Sequence, residues 1–89
     1  MLATNVWSGP YELDVVARRG GVLVFCEVKS KTGDRFGAPA EMVTAEKQRR
    51  IRLAAELWLQ RHRDCGGLRV RFDVIAERAG RLEHLPNAF

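Results

Sequence analysis

The sequence lacks long apolar runs, a secretory leader and any cysteine or histidine framework. No stretch approaches the ~20 apolar residues that span a bilayer, so we expect no transmembrane helix and no membrane partner. Met1–Gly9 has neither a basic start nor a long apolar core, which predicts a cytoplasmic protein. The two cysteines, Cys26 and Cys65, form neither a disulfide framework nor a Cys-x-x-Cys zinc spacing. His62 and His84 are isolated, and neither has the spacing of a metal ligand.

The composition is that of one small folded domain with a basic surface. The 89 residues are 46% hydrophobic and 29% charged, which fits a globular domain and excludes a disordered tail. We therefore predict a single domain over residues 1–89. Fifteen Lys and Arg residues against eleven Asp and Glu give a net charge of +4. Most of these cations are arginines, whose forks pair with phosphate oxygens, so a nucleic-acid partner is favoured; a solvated basic surface is the alternative.

Turn signals divide the chain into strands and one helix. Gly20 and Gly21 predict a hairpin turn, and Thr44 is a candidate N-cap for a long helix whose apolar stripe includes Ile51 and Trp58. In the second strand, Leu13, Val15 and Ala17 are expected on one face and Glu12 and Asp14 on the other. The predicted elements are strands over Leu2–Trp7, Tyr11–Ala17, Val22–Lys29, Leu68–Ala76 and Arg81–Leu85, with a helix over Ala45–His62.

The order of these elements predicts an α/β domain built on a mixed sheet. Tight turns join the first three strands, which makes them antiparallel. The helix between the third and fourth strands is long enough for a right-handed crossover, which makes those two strands parallel. One helix then covers one face of the sheet.

Charged side chains occupy positions where the strand pattern calls for apolar ones. Glu27 and Lys29 share a face of the third strand, and a hairpin brings Asp14 alongside them. Neighbouring carboxylates repel each other, and a divalent cation removes that repulsion. Two carboxylates and a lysine are the groups that metal-dependent phosphodiester hydrolysis needs, with Mg²⁺ or Mn²⁺ as cofactor. The alternative is an ion pair at a strand end, because Glu-x-Lys alone is a weak pattern.

Several motifs resemble the YraN-like family of uncharacterised proteins, which belongs to the PD-(D/E)XK, restriction-endonuclease-like superfamily. The matching segments are Tyr11–Ala17, Leu23–Lys31, Arg35–Pro39, Val43–Thr44 with Lys47 and Arg50, Arg71–Ala76 and His84–Phe89. The resemblance implies a restriction-endonuclease-like β-β-β-α-β core. It also implies that Asp14 and Glu27 are metal ligands, that the Val28 carbonyl reaches the metal, and that Lys29 is the catalytic lysine. It further implies a helix before the first strand, with another acidic residue of the site; this chain starts at the first strand.

Other residues are weighed by their position relative to this site. Glu12 is interpreted as a solvated charge, with an additional ligand as the alternative. Asp73 shares a face with Arg71, which favours a structural ion pair over a third ligand. Trp7 and Trp58 are interpreted as core or interface residues rather than platforms for base stacking. Candidate nucleic-acid contacts are Lys31 and Arg35 in the loop and Lys47, Gln48, Arg49 and Arg52 on the helix.

Three functions are compatible with these patterns. The first is a metal-dependent nuclease acting on DNA, with structure-selective cleavage like that of the junction resolvases of the same superfamily. The second is a non-catalytic nucleic-acid-binding module of the same fold, and the third is an oligomeric scaffold. A helix on one face leaves the other face of an apolar sheet open, so we also expect a homodimer in which Trp7 and the first strand take part.

Overall fold

The computed structural model describes residues 2–30, 43–78 and 80–89, the strand residue at 78 by its backbone alone. The predicted phosphate contacts Lys31 and Arg35 lie outside the described residues. The elements are β1 (Ala3–Ser8), β2 (Tyr11–Arg19), β3 (Val22–Ser30), α1 (Ala45–Arg61), a 3-10 turn (Arg63–Cys65), β4 (Arg69–Arg78) and β5 (Arg81–Leu85). Their order confirms the predicted one, and no boundary differs from its prediction by more than two residues. Among the described residues, no helix has both the length and the apolarity to span a membrane.

The five strands form one mixed sheet in the order β1-β2-β3-β4-β5. β3 and β4 are parallel, and every other neighbouring pair is antiparallel. The parallel pair is the one whose connection contains α1, because a tight turn cannot return a strand in the same direction. The predicted α/β class is therefore confirmed, and the arrangement is consistent with a restriction-endonuclease-like fold.

Helix α1 covers one face of the sheet and closes the core. Thr44 caps it, with Oγ1 accepting a hydrogen bond from the backbone N–H of Lys47 at 3.2 Å, which fixes the first turn. Ala54 lets the β1–β2 hairpin approach closely, and the Ser8 hydroxyl donates to its carbonyl oxygen at 2.6 Å. The buried helix residues are Ile51, Ala54, Ala55 and Trp58, and they pack on sheet residues that include Leu23, Phe25, Phe72 and Val74.

The predicted alternation in β2 is wrong at one point. Leu13 is buried in the core cluster, whereas Val15 and Ala17 line a groove on the opposite face of the sheet. Asn5 lies between the pairs Thr4–Val15 and Val6–Leu13, opposite Asp14, and has a φ of 48°. A left-handed residue breaks the two-residue period of its own strand, here β1, and the change of face in β2 lies directly opposite it. Sequence periodicity assumed an unbroken strand and missed this reversal.

The sheet face opposite α1 carries exposed apolar side chains. Val28 in β3 is 43% exposed and Leu82 in β5 is 72% exposed. Within the described residues no helix lies over this face. That a second copy covers it remains a prediction, which follows from the rarity of large apolar patches on soluble monomers.

We expect the chain to sediment as a dimer at micromolar concentration, and Val28→Lys to shift it to monomer. A lysine ammonium buried in an apolar interface loses its hydration without gaining a partner. Leu53→Lys is the matched control, because Leu53 is 37% exposed but lies on α1. Sedimentation velocity decides the matter, and a wild-type chain that stays monomeric contradicts the prediction.

Candidate functional site

The structure brings Asp14 and Glu27 to one groove beside the first turn of α1. The groove has a volume of about 230 Å³, and both carboxylates line it. Asp14 is half-buried and Glu27 is only 6% exposed. The remaining lining residues are Tyr11, Glu12, Lys47, Arg50 and Ile51. The predicted convergence of the two carboxylates therefore occurs, at the end of the sheet that the β1–β2 hairpin and α1 share.

Asp14 stands where β2 and β3 separate. The register of the two strands runs from Arg19–Val22 to Val15–Cys26. Beyond it, Asp14 Oδ2 accepts a hydrogen bond from the backbone N–H of Val28 at 3.0 Å. A side chain thus takes the place of a strand carbonyl, and this holds the carboxylate in the gap between the strands. Because the N–H and C=O of one strand residue point to the same side, the Val28 carbonyl also faces β2.

Glu27 forms an ion pair with a lysine from the helix. Lys47 Nζ lies 2.5 Å from Glu27 Oε1. Burial raises the pKa of Glu27 above its usual range, and the negative charge of Asp14 raises it further, although the Lys47 ammonium acts in the opposite direction. The net shift is upward, so the Lys47 ammonium does not fully offset the cost of burying this carboxylate.

The donor set of the groove suits a hard divalent cation. The two carboxylates offer oxygen ligands of the kind that Mg²⁺ prefers, and the family resemblance adds the Val28 carbonyl as a predicted third donor. Burial is the main cause of the raised pKa of Glu27, and the negative charge of Asp14 adds to it, so the two carboxylates repel each other in this groove. Asp14 and Glu27 would hold the metal. That these residues are ligands remains a prediction.

Lys29 lies two residues beyond Glu27 on the same face of β3. It is half-buried, pairs with Ala76 of β4 in the sheet register, and lies outside the lining of the groove. Glu12 is exposed and lines the groove, so it remains a solvated charge at the rim. The proposed catalytic role of Lys29 is therefore a prediction that depends on side-chain motion toward the carboxylates.

The helix residues predicted to bind nucleic acid have structural contacts. The Gln48 side-chain amide donates to the Val43 carbonyl at 2.9 Å. Arg49 pairs with Glu46 at 2.8 Å, and both side chains are exposed. The Arg52 guanidinium lies over the ring of Phe72, 4.7 Å from its centroid. The surface ion pair of Arg49 with Glu46 contributes little stability, whereas Arg52 is held over an aromatic ring; that these residues bind phosphate remains a prediction.

A second cluster surrounds Asp73, which is fully buried. Its carboxylate accepts hydrogen bonds from Arg71 at 2.8 and 2.9 Å and from the Asn87 backbone N–H at 2.9 Å. His84 Nε2 lies 2.6 Å from Asp73 Oδ2. The predicted Arg71–Asp73 ion pair is confirmed. The prediction that His84 is isolated is wrong. His84 pairs with Ile75 in the β4–β5 hairpin, so its side chain lies diagonally opposite Asp73 on the same face. Counting that register from the hairpin turn would have found the contact.

Cys26 lies beside the same cluster and completes a group of three possible metal ligands. Its sulfur and the ligand atoms of Asp73 and His84 all lie within 4.8 Å of one another. Burial, with the Asp73 charge, raises the pKa of Cys26 to about 11, so the thiol keeps its proton at neutral pH. Each of the two Asp73 carboxylate oxygens already has two hydrogen-bond partners. We interpret the cluster as an anchor for the C-terminal segment, whose Ala88 N–H also donates to the Phe72 carbonyl at 2.7 Å.

Comparison with known proteins gives the chain a family. The model of "Uncharacterised protein family UPF0102" matches residues 1–76. A UPF0102 protein of Rhodococcus jostii (strain RHA1) is 48% identical over 91 residues, covering 93% of this chain and 75% of the relative. A UPF0102 protein of Yersinia pseudotuberculosis (serotype O:1b, strain IP 31758) is 43% identical over 88 residues, covering 98% and 75%. These names state no activity. The resemblance drawn from the sequence motifs is confirmed, and the chain belongs to the UPF0102 (YraN-like) family.

Proposed function

We propose that the chain is a metal-dependent nuclease that hydrolyses phosphodiester bonds of DNA. The observation that carries the proposal is the groove in which Asp14 and Glu27 lie together, with the pKa of Glu27 raised by burial and by the neighbouring carboxylate. A protein that only binds an anionic backbone has no physical need for two carboxylates in one groove. A phosphodiesterase needs them to hold a cation.

Each residue has a distinct role in this proposal. Asp14 and Glu27 would hold Mg²⁺ or Mn²⁺, and the Val28 carbonyl would be a third oxygen donor. A bound cation would polarise the phosphate and lower the pKa of a water. Lys29 would orient or deprotonate the attacking water. Lys47, at 2.5 Å from Glu27, stays near the groove and offsets negative charge that develops on the phosphate.

A second candidate is a nucleic-acid-binding module without catalysis. The Lys47–Glu27 ion pair favours it, because an internal cation already compensates one carboxylate. In this case the groove contains a purely structural ion pair, and nucleic acid binds to the basic surface of the chain, whose formal net charge is +4.

For the nuclease, the first candidate, we further propose a preference for branched DNA, because the family resembles the junction resolvases of the same superfamily.

A cleavage assay separates the two candidates. We expect labelled branched, single-stranded and duplex DNA to be cut in Mg²⁺ or Mn²⁺ and left intact in EDTA. Calorimetry with Mn²⁺ alone is expected to detect binding that disappears in the double variant Asp14→Asn, Glu27→Gln. Binding of DNA without cleavage in either metal, and without Mn²⁺ binding, would support the module and exclude the nuclease.

A further inference from the structure

One side chain from each of three neighbouring strands meets on the sheet face opposite α1. Cys26 of β3 pairs with Asp73 of β4 in the parallel register, and His84 of β5 lies diagonally opposite Asp73. Their sulfur, carboxylate oxygen and ring nitrogen all lie within 4.8 Å of one another. A tetrahedral Zn²⁺ holds its ligand atoms about 3.5 Å apart, so small side-chain movements would bring the three atoms into coordination distance.

The donor set of this cluster is that of a transition metal. Thiolate and imidazole ligands favour Zn²⁺ and related cations, whereas Mg²⁺ prefers oxygen ligands. The cluster therefore differs in chemistry from the groove of Asp14 and Glu27, and it lies on the other face of the sheet. Spacing along the sequence could not reveal it, because each of the three strands contributes a single residue.

The hydrogen bonds of Asp73 are compatible with a cation at this point. Its Oδ1 is held by Arg71 and by the Asn87 backbone N–H, and these contacts need not change. Its Oδ2 accepts from Arg71 and faces His84 Nε2 at 2.6 Å. A cation between that oxygen and the ring nitrogen would exchange one hydrogen bond for two coordination bonds. The His84 side chain is 53% exposed on an edge strand, so the ring has room for this movement.

The Cys26 thiol is the third potential ligand. Burial and the negative charge of Asp73 keep its proton in place while the cluster holds no cation. A bound divalent cation reverses the sign of that local charge, and a coordinating thiol is deprotonated outright. The thiolate and the Asp73 carboxylate then carry the two negative charges that balance Zn²⁺. Arg71 remains beside the carboxylate as an additional positive charge, which limits the affinity of the site.

We propose that Cys26, Asp73 and His84 bind Zn²⁺ on the sheet face opposite α1. A groove of about 400 Å³, which all three residues line, gives the cation access from solvent and leaves the fourth tetrahedral position to a water. The cation joins β3, β4 and β5 and reinforces the anchor of the C-terminal segment. The inference is independent of the proposed nuclease function, because the cluster shares no residue with the groove of Asp14 and Glu27.

Cobalt tests the site, because a thiolate bound to Co²⁺ gives an intense near-ultraviolet charge-transfer band that oxygen and imidazole ligands do not produce. We expect this band when Co²⁺ is titrated into the reduced wild-type protein, and its loss when Zn²⁺ displaces the Co²⁺. Cys26→Ala is expected to remove the band. Cys65→Ala is the matched control and is expected to keep it, because Cys65 is buried in the turn after α1 and lies outside the cluster.

Affinity and stability measurements extend the test to the other ligands. Competition with a chromophoric chelator is expected to show Zn²⁺ affinity reduced more than about a hundredfold in Cys26→Ala and in His84→Ala, beyond the loss caused by removing a supporting partner of a ligand. In wild type, Zn²⁺ is expected to raise the melting temperature and to slow hydrogen exchange at Ala88. Cys26→Ala is expected to show neither effect, whereas Glu27→Gln is expected to show both.

The outcomes distinguish a built site from casual binding. A folded wild-type protein that gives no thiolate band overturns the inference, as does a band that survives Cys26→Ala or disappears in Cys65→Ala. Weak Co²⁺ binding without the band is an adventitious ion only and overturns it too. If Cys26→Ala does not fold, retention of the band in Cys65→Ala assigns it to Cys26, because the chain has two cysteines. The expected pattern supports the site whether or not the protein cleaves DNA.

Discussion

Replacing Glu27 by glutamine is expected to reduce metal-dependent DNA cleavage by about a hundredfold or more. Glutamine keeps the shape of the side chain but removes the negative charge that would bind the cation and balance its positive charge. Asp14→Asn is expected to have the same effect, because both carboxylates line the groove. Initial rates on the best substrate in Mg²⁺ and Mn²⁺ measure the loss.

The same substitution is expected to leave the fold as stable as before or more stable. Burial raises the pKa of Glu27, so the folded chain holds this proton more tightly than the unfolded chain does. Stability from a raised pKa is present at low pH and is lost as pH rises through the folded value, so ionised Glu27 costs stability at neutral pH. Thermal unfolding at neutral pH, in EDTA, is expected to show Glu27→Gln with a melting temperature at or above that of wild type.

Glu56→Gln is the matched control for both measurements. Glu56 is exposed on α1 and undergoes the same chemical change away from the groove. It is expected to leave both the cleavage rate and the melting temperature unchanged. If Glu27→Gln cleaves DNA at the wild-type rate, the catalytic site lies elsewhere in the protein.

Replacing Asp73 by asparagine is expected to lower the free energy of unfolding by about 3 kcal/mol, the range for breaking a buried ion pair. Asp73 is fully buried and bound by Arg71, His84 and the Asn87 backbone N–H. Asparagine keeps the size but loses the charge, and its amide nitrogen faces donors instead of acceptors. The C-terminal segment is then expected to detach, which urea unfolding and hydrogen exchange at Ala88 would detect.

The pH dependence of stability has a definite sign at this residue. Burial by itself would raise the pKa of Asp73, but the Arg71 guanidinium and the hydrogen bonds from Asn87 and His84 hold it below its usual range. Stability from a lowered pKa is present at neutral pH and is lost as pH falls through the folded value. Wild type is therefore expected to lose stability below about pH 4, the ordinary range of an aspartate, while Asp73→Asn changes less there.

Glu83→Gln is the control for this prediction, because Glu83 is exposed on β5 next to His84. It is expected to unfold at the wild-type urea concentration. An Asp73→Asn protein with unchanged stability and unchanged acid sensitivity would contradict the anchoring role of the carboxylate.

Local patterns were enough to predict the elements and their order. Gly20 and Gly21 form the turn that places β3 beside β2, and Thr44 is the N-cap of α1, which begins at Ala45. Both could be predicted because turns and caps depend on a few neighbouring residues. The parallel pairing of β3 with β4 followed from the length of the connection alone. The two-residue period of β3 also put Glu27 on one face with Lys29, where charges replace the expected apolar residues, and this made Glu27 a site candidate.

Contacts between distant residues could not be predicted in this way. Lys47 was a candidate, but its ion pair with Glu27 depends on how α1 lies across the sheet. The hydrogen bond between Asp14 and the Val28 N–H requires β2 and β3 to separate at that point. The exposure of Trp7 and the contact of His84 with Asp73 depend on the reversal at Asn5 and on the β4–β5 register.

The sequence by itself therefore determined the family, the strand and helix order, and the two carboxylates of the candidate site. Each of these depends on residue types at short spacing, where backbone geometry leaves few alternatives. The tertiary structure alone decided which cation faces Glu27, which tryptophan remains in water and what holds the C-terminal segment. Those contacts join residues far apart in the chain, and packing selects them only when the whole sheet and its helix have come together.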